Sequence, residues 1–124
     1  MYKETTSGIT VEVTPIFVPE HSDESGNQFI FQYKVVLMNE STRIVQLQSR
    51  HWVIRDGHGK VREVRGPGVI GEYPILRPGE KFEYQSFCPL PTPTGNMRGT
   101  YTFKDERGLD FDVRVPVFFL RRDG

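Results

Sequence analysis

Apolar and polar residues alternate with a period of two along most of this chain, the pattern of strands with one buried face. In Ile9-Thr10-Val11-Glu12-Val13-Thr14 the odd positions are apolar and the even ones polar. Phe29, Phe31, Tyr33, Val35 and Leu37 share one face of the next run. Gln32 and Lys34 lie on its other face with Ile30, Val36 and Met38, as expected of a central strand covered near one end. Phe82, Tyr84 and Ser86 alternate with Lys81, Glu83 and Gln85 in a strand ending near Cys88-Pro89. The cleanest alternation sets Leu109, Phe111, Val113, Val115, Val117 and Phe119 opposite Asp110, Asp112 and Arg114. Pro116 has no N–H for a ladder, so this end of the strand belongs at an edge or a bulge. On this pattern Phe118 and Leu120 fall on the polar face, either covered by a loop or exposed as a small contact patch.

Residues 44–55 (IVQLQSRHWVIR) fit neither the helical nor the strand period cleanly. Their β-branched residues and the stop at Asp56-Gly57-His58-Gly59 predict a strand running into a hairpin, with Lys60–Arg65 returning as a short strand. Turns or loops are expected at 20–27, 39–42, 77–80, 90–96 and at Asp105-Glu106-Arg107-Gly108. Residues 1–124 are expected to form a single domain, with 1–8 as its flexible N-terminus and 121–124 as its C-terminal tail. About seven to eight short strands predict an all-β fold: a β-sandwich of the fibronectin type III or immunoglobulin-like kind, with a small barrel as the alternative. Trp52 is the candidate central core tryptophan, Phe103 an inward core position, and Tyr101 a corner-anchoring tyrosine.

Composition strengthens the β assignment. The chain of 124 residues has no alanine, and valine plus isoleucine number 20 against 6 leucines. The best apolar helix formers are thus scarce, while residues suited to a pleated, half-buried surface abound. Lys plus Arg and Asp plus Glu are 16 each, which removes the charge argument for nucleic acid or anionic lipid as an obligatory partner. No apolar run is long enough for a membrane helix, and MYKETTSG lacks a secretory core. The lone Cys88 fits a reducing compartment, so a cytoplasmic location is expected.

Candidate chemistry is sparse. His21, Asp23 and Glu24 share one loop and carry metal-ligating atoms, but no second ligand group accompanies them, so no metal or cofactor is expected. His51 beside Trp52 reads as a core or rim residue, and His58 as a hairpin tip. Cys88, between Phe87 and Pro89, lacks an adjacent base and reads as a small buried hydrophobe. The pairs Glu80/Glu83 and Asp110/Asp112 read as solvated faces. No catalytic set emerges, and a non-enzymatic protein is expected.

Residues 65–74 (RGPGVIGEYP) carry Gly66, Gly68 and Gly71 in the G-x-G-x-x-G spacing of nucleotide-binding loops. The dinucleotide fingerprint needs a helix after the last glycine to receive the pyrophosphate. Here Pro74 and Pro78-Gly79 forbid one, so the segment is expected to be an inter-strand loop. Two readings remain: a backbone nest for an anion, flanked by Lys60, Arg62, Arg65 and Arg77, or a loop whose glycines serve backbone geometry.

Together these blocks are more specific than any one of them. Arg50-His51-Trp52, then Val64-x-Gly66-Pro67-Gly68-Val69-Ile70-Gly71-Glu72, then Pro74-x-Leu76-x-Pro78-Gly79-Glu80 and Phe82-x-Tyr84-x-Ser86 resemble the ApaG (CorD) family. The resemblance continues through Pro93-x-Gly95-x-Met97-x-Gly99-x-Tyr101 to Pro116-x-Phe118-x-Leu120, covering the chain from about Ile9 onward. It implies a fibronectin-type-III-like sandwich in a bacterial cytoplasmic protein. It also implies a gene often beside a diadenosine tetraphosphate hydrolase gene, and an association with cobalt resistance and magnesium efflux. Related domains in a eukaryotic F-box protein and a DNA-polymerase-δ-interacting protein imply a protein-interaction module with an unidentified protein partner. The resemblance brings no catalytic residues. It brings only Gly66, Gly68 and Gly71, as a proposed pyrophosphate-binding motif beside which the residue reading sets Arg65, and so a nucleotide as the alternative ligand.

Overall fold

The computed structural model describes residues 1–123. Its strands are β1 (Tyr2–Thr6), β2 (Ile9–Phe17), β3 (Phe29–Asn39), β4 (Val45–Asp56), β5 (Val61–Pro67), β6 (Ile75–Leu76), β7 (Lys81–Leu90), β8 (Thr94–Asp105) and β9 (Asp110–Arg121). One sheet runs β1-β2-β3-β7 and the other β5-β4-β8-β9, with the two-residue β6 pairing the start of β4. Every pairing is antiparallel, and the two inner faces meet in one core. This is the expected β-sandwich, and the barrel alternative does not apply. The strands beyond the expected seven or eight are β1 and β6.

The core follows the alternation. Ile9, Val11 and Val13 of β2 and Phe31, Val35 and Leu37 of β3 have no exposed surface, and they face Leu47, Tyr101, Phe103 and Val113 of the second sheet. Trp52 is central, as expected, with its indole edge-on to Tyr33, Tyr101 and Phe118 at 5.5–5.9 Å. Tyr101 corrects its expected role: its hydroxyl bonds Tyr84 inside the sandwich rather than backbone at a corner.

Two bulges account for the places where the period fails. In β4, Leu47 pairs Phe103 and Ser49 pairs Thr102, so Gln48 is an extra residue. Val45 and Leu47 point inward before it, and Trp52 and Ile54 after it, which is why neither period fits 44–55. In β9, Met97 pairs Phe118 and Gly99 pairs Val115, so Pro116 and Val117 oppose Arg98 alone. Pro116 does sit at a bulge on an edge strand. The extra residue reverses the faces that the simple alternation predicts: Phe118 and Leu120 are fully buried, while Val117 and Phe119 are exposed.

The N-terminus corrects a further expectation. Residues 2–6 are not a loose end but strand β1, joined to β2 through Ser7 and Gly8, both at positive φ. Tyr2 anchors it with its ring 6.2 Å from that of Phe118. The expected tail begins within β9, since Arg121 still pairs Thr94, and Gly124 lies outside the described residues. β9 meets the first sheet at Thr6, whose Oγ1 accepts from the Arg114 N–H at 3.2 Å. That side of the sandwich is closed. On the other side β5 and β7 are outer strands of different sheets with no ladder between them.

Candidate functional site: the glycine hairpin and the cleft beneath it

The open side takes its character from the β4 bulge. With Gln48 inserted, the inward face of β4 carries Arg50, Trp52 and Ile54. β5 pairs Gly66 with Arg50, Val64 with Trp52 and Arg62 with Ile54, so Gly66, Val64 and Arg62 share that face. His51, Glu63 and Arg65 share the outer one, where Glu63 lies 2.7 Å from His51 Nε2 and 3.6 Å from Arg65. Arg65, the cation expected beside the motif, therefore projects away from the cleft.

After β5 the chain makes a tight hairpin. Val69 and Glu72 exchange backbone hydrogen bonds of 2.9 and 2.8 Å around Ile70 and Gly71, both at positive φ, the arrangement of a type I′ turn. The expected inter-strand loop is thus a hairpin tip leading to β6, and no helix follows. The three glycines answer to three different demands. Gly68 combines φ +59° with a position where a Cβ would lie 2.4 Å from the Glu72 carbonyl oxygen. Gly71 has φ +78° and open space around it. At Gly66 a Cβ would lie 2.9 Å from Nη1 of Arg50, so this glycine makes room for a guanidinium. Ile70 carries a β-branched side chain at φ +44°, an unfavourable conformation held at the lip of the cleft.

The loop N–H groups are mostly spent internally. Gly68 donates to Gln48 and Val69 and Glu72 to each other, which leaves those of Ile70 and Gly71 without an acceptor among the described residues. The carbonyls of Pro67 and Gly68 turn inward to accept from Arg50 Nη1 at 3.0 and 2.9 Å. Arg50 is the feature that motif reading passed over as a site residue. Its sequence signals were its place in the Arg50-His51-Trp52 block and a basic residue where the period breaks.

Beneath the hairpin lies a cavity of about 260 Å³ between the inward faces of β5 and β7, with Tyr33, Tyr84 and Trp52 deep within and Arg62, Ile70 and Phe87 toward the rim. Arg62 spans the open side, its Nη2 donating to the Pro89 carbonyl at 2.7 Å and approaching Cys88 Sγ at 3.8 Å. A second depression of about 350 Å³ continues from it past Ile54, Arg62 and Pro89. Burial pushes the Tyr33, Tyr84 and Tyr101 phenols above their ordinary value, with Arg50 opposing the shift. All three stay neutral donors at physiological pH. Cys88 is buried as expected, and burial pushes its thiol up against the opposing Arg62.

The remaining candidates are scattered. The His21 ring packs edge-on against Phe87, Asp23 accepts from Ser25 and Gly26, and Glu24 pairs with Arg122. Among the described residues no three His, Cys, Asp or Glu side chains converge on a metal position. Arg77 pairs with Glu80, Glu83 with Lys34 and Lys81, and Asp110 with Lys104, while Asp112 accepts from Thr102. Lys60 borders the second depression, and His58 is an exposed hairpin residue.

This architecture defines a two-sheet β-sandwich closed on one side and cleft on the other. The ApaG domain profile matches residues 19–105, and the chain belongs to the ApaG family. It is 50% identical over 120 residues to Protein ApaG of Paramagnetospirillum magneticum, covering 97% of this chain and 92% of that protein. It is 53% identical over 112 residues to Protein ApaG of Bordetella pertussis, covering 90% and 86%. A crystal structure of the ApaA protein from Bordetella pertussis superposes with a TM-score of 0.90 at 50% identity, covering 96% of this chain and 95% of the other. The C-terminal domain of wzt, at 12% identity and a TM-score of 0.54 over 97% of this chain and 76% of that one, shares the fold alone.

Proposed function

We propose that this chain is a non-enzymatic binding module that engages a protein partner along its open β5–β7 side. The observation that carries the reading is the pair of unpaired strand edges flanking a cleft whose walls are part apolar and part cationic. Such edges accept an extended segment through backbone hydrogen bonds, and the cleft supplies side-chain selectivity. Clustered histidines or thiolates that would support metal chemistry are absent among the described residues. On this reading an association with cobalt or magnesium acts through the partner, in the cytoplasm. Photo-crosslinking residues placed at Phe87 and Val64, with Lys3 on β1 as control, test it in lysate from a bacterium of the family. One discrete adduct from the cleft positions alone is expected. Equal adducts from all three positions, or none, overturn it.

A second reading rests on the free N–H groups of Ile70 and Gly71, which leave room for a nucleotide pyrophosphate at the hairpin tip beside Gly66, Gly68 and Arg65. Titration with diadenosine polyphosphates should then shift the amide signals of Ile70 and Gly71 first. Unmoved signals at about millimolar ligand, equivalent to a binding free energy weaker than about 4 kcal/mol, reject it.

A further inference from the structure

The cavity has an uncompensated charge. Its only charged lining residues are Arg50 and Arg62, with no Asp or Glu among them. Arginines 43, 65, 77, 107, 114 and 122 make ion pairs, whereas Arg50 and Arg62, like Arg55, Arg98 and Arg121 away from the cavity, make none among the described residues. Arg50 is half-buried and satisfied only by neutral carbonyls, so its guanidinium keeps its full charge facing a partly desolvated space where an anion is the natural complement, and the exposed Arg62 adds a second cation at the rim. Nη1 of Arg50 is tied to the Pro67 and Gly68 carbonyls, which fixes the guanidinium plane. Nε and Nη2 have no acceptor among the described residues, and together they form the edge that meets a carboxylate through two parallel bonds.

We propose that the cavity beneath the glycine hairpin is a carboxylate site, with Arg50 and Arg62 holding the anion while Trp52, Val64 and Ile70 enclose a compact apolar body. The volume sets the size. About 260 Å³ admits a ring-sized group bearing one carboxylate. The wall composition sets the class. Inorganic phosphate has no apolar part to bury against Trp52 and Val64, and of the loop N–H groups that would cradle it those of Val69 and Glu72 are bonded to each other and that of Gly68 to Gln48 of β4. Buried phenols at Tyr33 and Tyr84 stay protonated, so they do not repel an anion. Gly66 belongs to this site because a side chain there would displace the Arg50 guanidinium. The carboxylate can come from a free organic acid or from the end of a partner chain.

The site lies in the cleft of the protein-partner reading but does not need a protein partner. Small probes test it whether or not crosslinking succeeds. Trp52 is the only tryptophan in the chain and lines the cavity, so its fluorescence reports occupancy. Phenylacetate is expected to quench it saturably, and the neutral phenylacetamide to bind at least about tenfold more weakly. Arg50→Gln and Arg62→Gln should each weaken phenylacetate about fivefold or more; Arg62 is on the surface, so its variant is a fold-neutral check should Arg50→Gln misfold. A short peptide ending in phenylalanine with a free carboxylate, compared with its amide, distinguishes the sources. A gain of about tenfold over phenylacetate identifies a chain end, and no gain identifies a free acid. The proposal is overturned by no saturation at about 20 mM phenylacetate, by equal binding of the amide, or by wild-type affinity in both variants. Pyrophosphate binding tighter than phenylacetate and indifferent to Arg50→Gln also overturns it, because the anion then belongs to the hairpin tip.

Discussion

If the glycines of the G-x-G-x-x-G segment serve backbone geometry, replacing each by alanine should cost stability in a fixed order, without any ligand present. Gly68→Ala meets two penalties. An L-residue at φ +59° costs about 1–2 kcal/mol, and the new Cβ would lie 2.4 Å from the Glu72 carbonyl oxygen. That oxygen accepts the Val69 N–H at 2.9 Å, so moving it aside breaks the hydrogen bond that closes the hairpin, worth about 0.5–1.5 kcal/mol. Against these stands about 0.4–1 kcal/mol gained by stiffening the unfolded chain, which leaves a net loss centred near about 2 kcal/mol. Gly71→Ala meets only the φ penalty, since nothing lies within 4 Å of its Cβ, and should lose about 0.5–1 kcal/mol. Gly66→Ala meets no positive-φ penalty and presses on the far end of a flexible arginine, so it should stay within about 0.5 kcal/mol of the parent. For a domain of this size about 1 kcal/mol moves Tm by roughly 4 °C, so the shifts for Gly68, Gly71 and Gly66 are about 8 °C, about 3 °C and at most about 2 °C. Thermal unfolding followed by circular dichroism, with urea titration to confirm, reads the order directly. Equal losses at all three positions, or Gly66→Ala as the worst, would refute this account of the motif.

The bulge in β9 is checked by Phe118→Ala, expected to lose about 3–5 kcal/mol from the core, beside Phe119→Ala, expected to lose less than about 1 kcal/mol in the same urea titration. Tyr84→Phe should cost about 1–3 kcal/mol by leaving the buried Tyr101 hydroxyl without a partner, whereas Tyr84→Phe with Tyr101→Phe should recover most of it in a double-mutant cycle. The Asp105 carboxyl is held below its ordinary value, chiefly by the Leu109 N–H and further by the Arg107 N–H and guanidinium. Its contribution is therefore complete above about pH 4 and disappears as pH falls through the depressed folded value, so Asp105→Asn should flatten the acid limb of the stability profile. The raised phenols of Tyr84 and Tyr101 act in the opposite direction: the unfolded chain sheds protons first above about pH 10, so stability should fall with rising pH, and less so in the double phenylalanine variant. Cys88 should react with a disulfide reagent more slowly at neutral pH in the folded protein than in urea, because the thiol is buried and its ionisation suppressed.

The sequence by itself determined the fold class and most turn positions, because alternation, β-branched content and Gly/Pro punctuation are local properties that the finished sheet leaves unchanged. It also determined that no helix follows Gly71, since Pro74 acts on the backbone wherever the segment lies. The tertiary structure decided the facing of side chains beyond the two bulges. An extra residue is defined only against a partner strand: Gln48 against β8, and Pro116-Val117 against Arg98. One added residue reverses every later position, and so the face of Phe118 reversed and Arg50 turned into the cleft. The order of β1 was hidden for the same reason, because its short polar alternation becomes a strand only when β2 is beside it and Tyr2 finds Phe118. What the spacing of Gly66, Gly68 and Gly71 does was settled by neighbours distant in sequence: a turn carbonyl, open solvent and the guanidinium of Arg50.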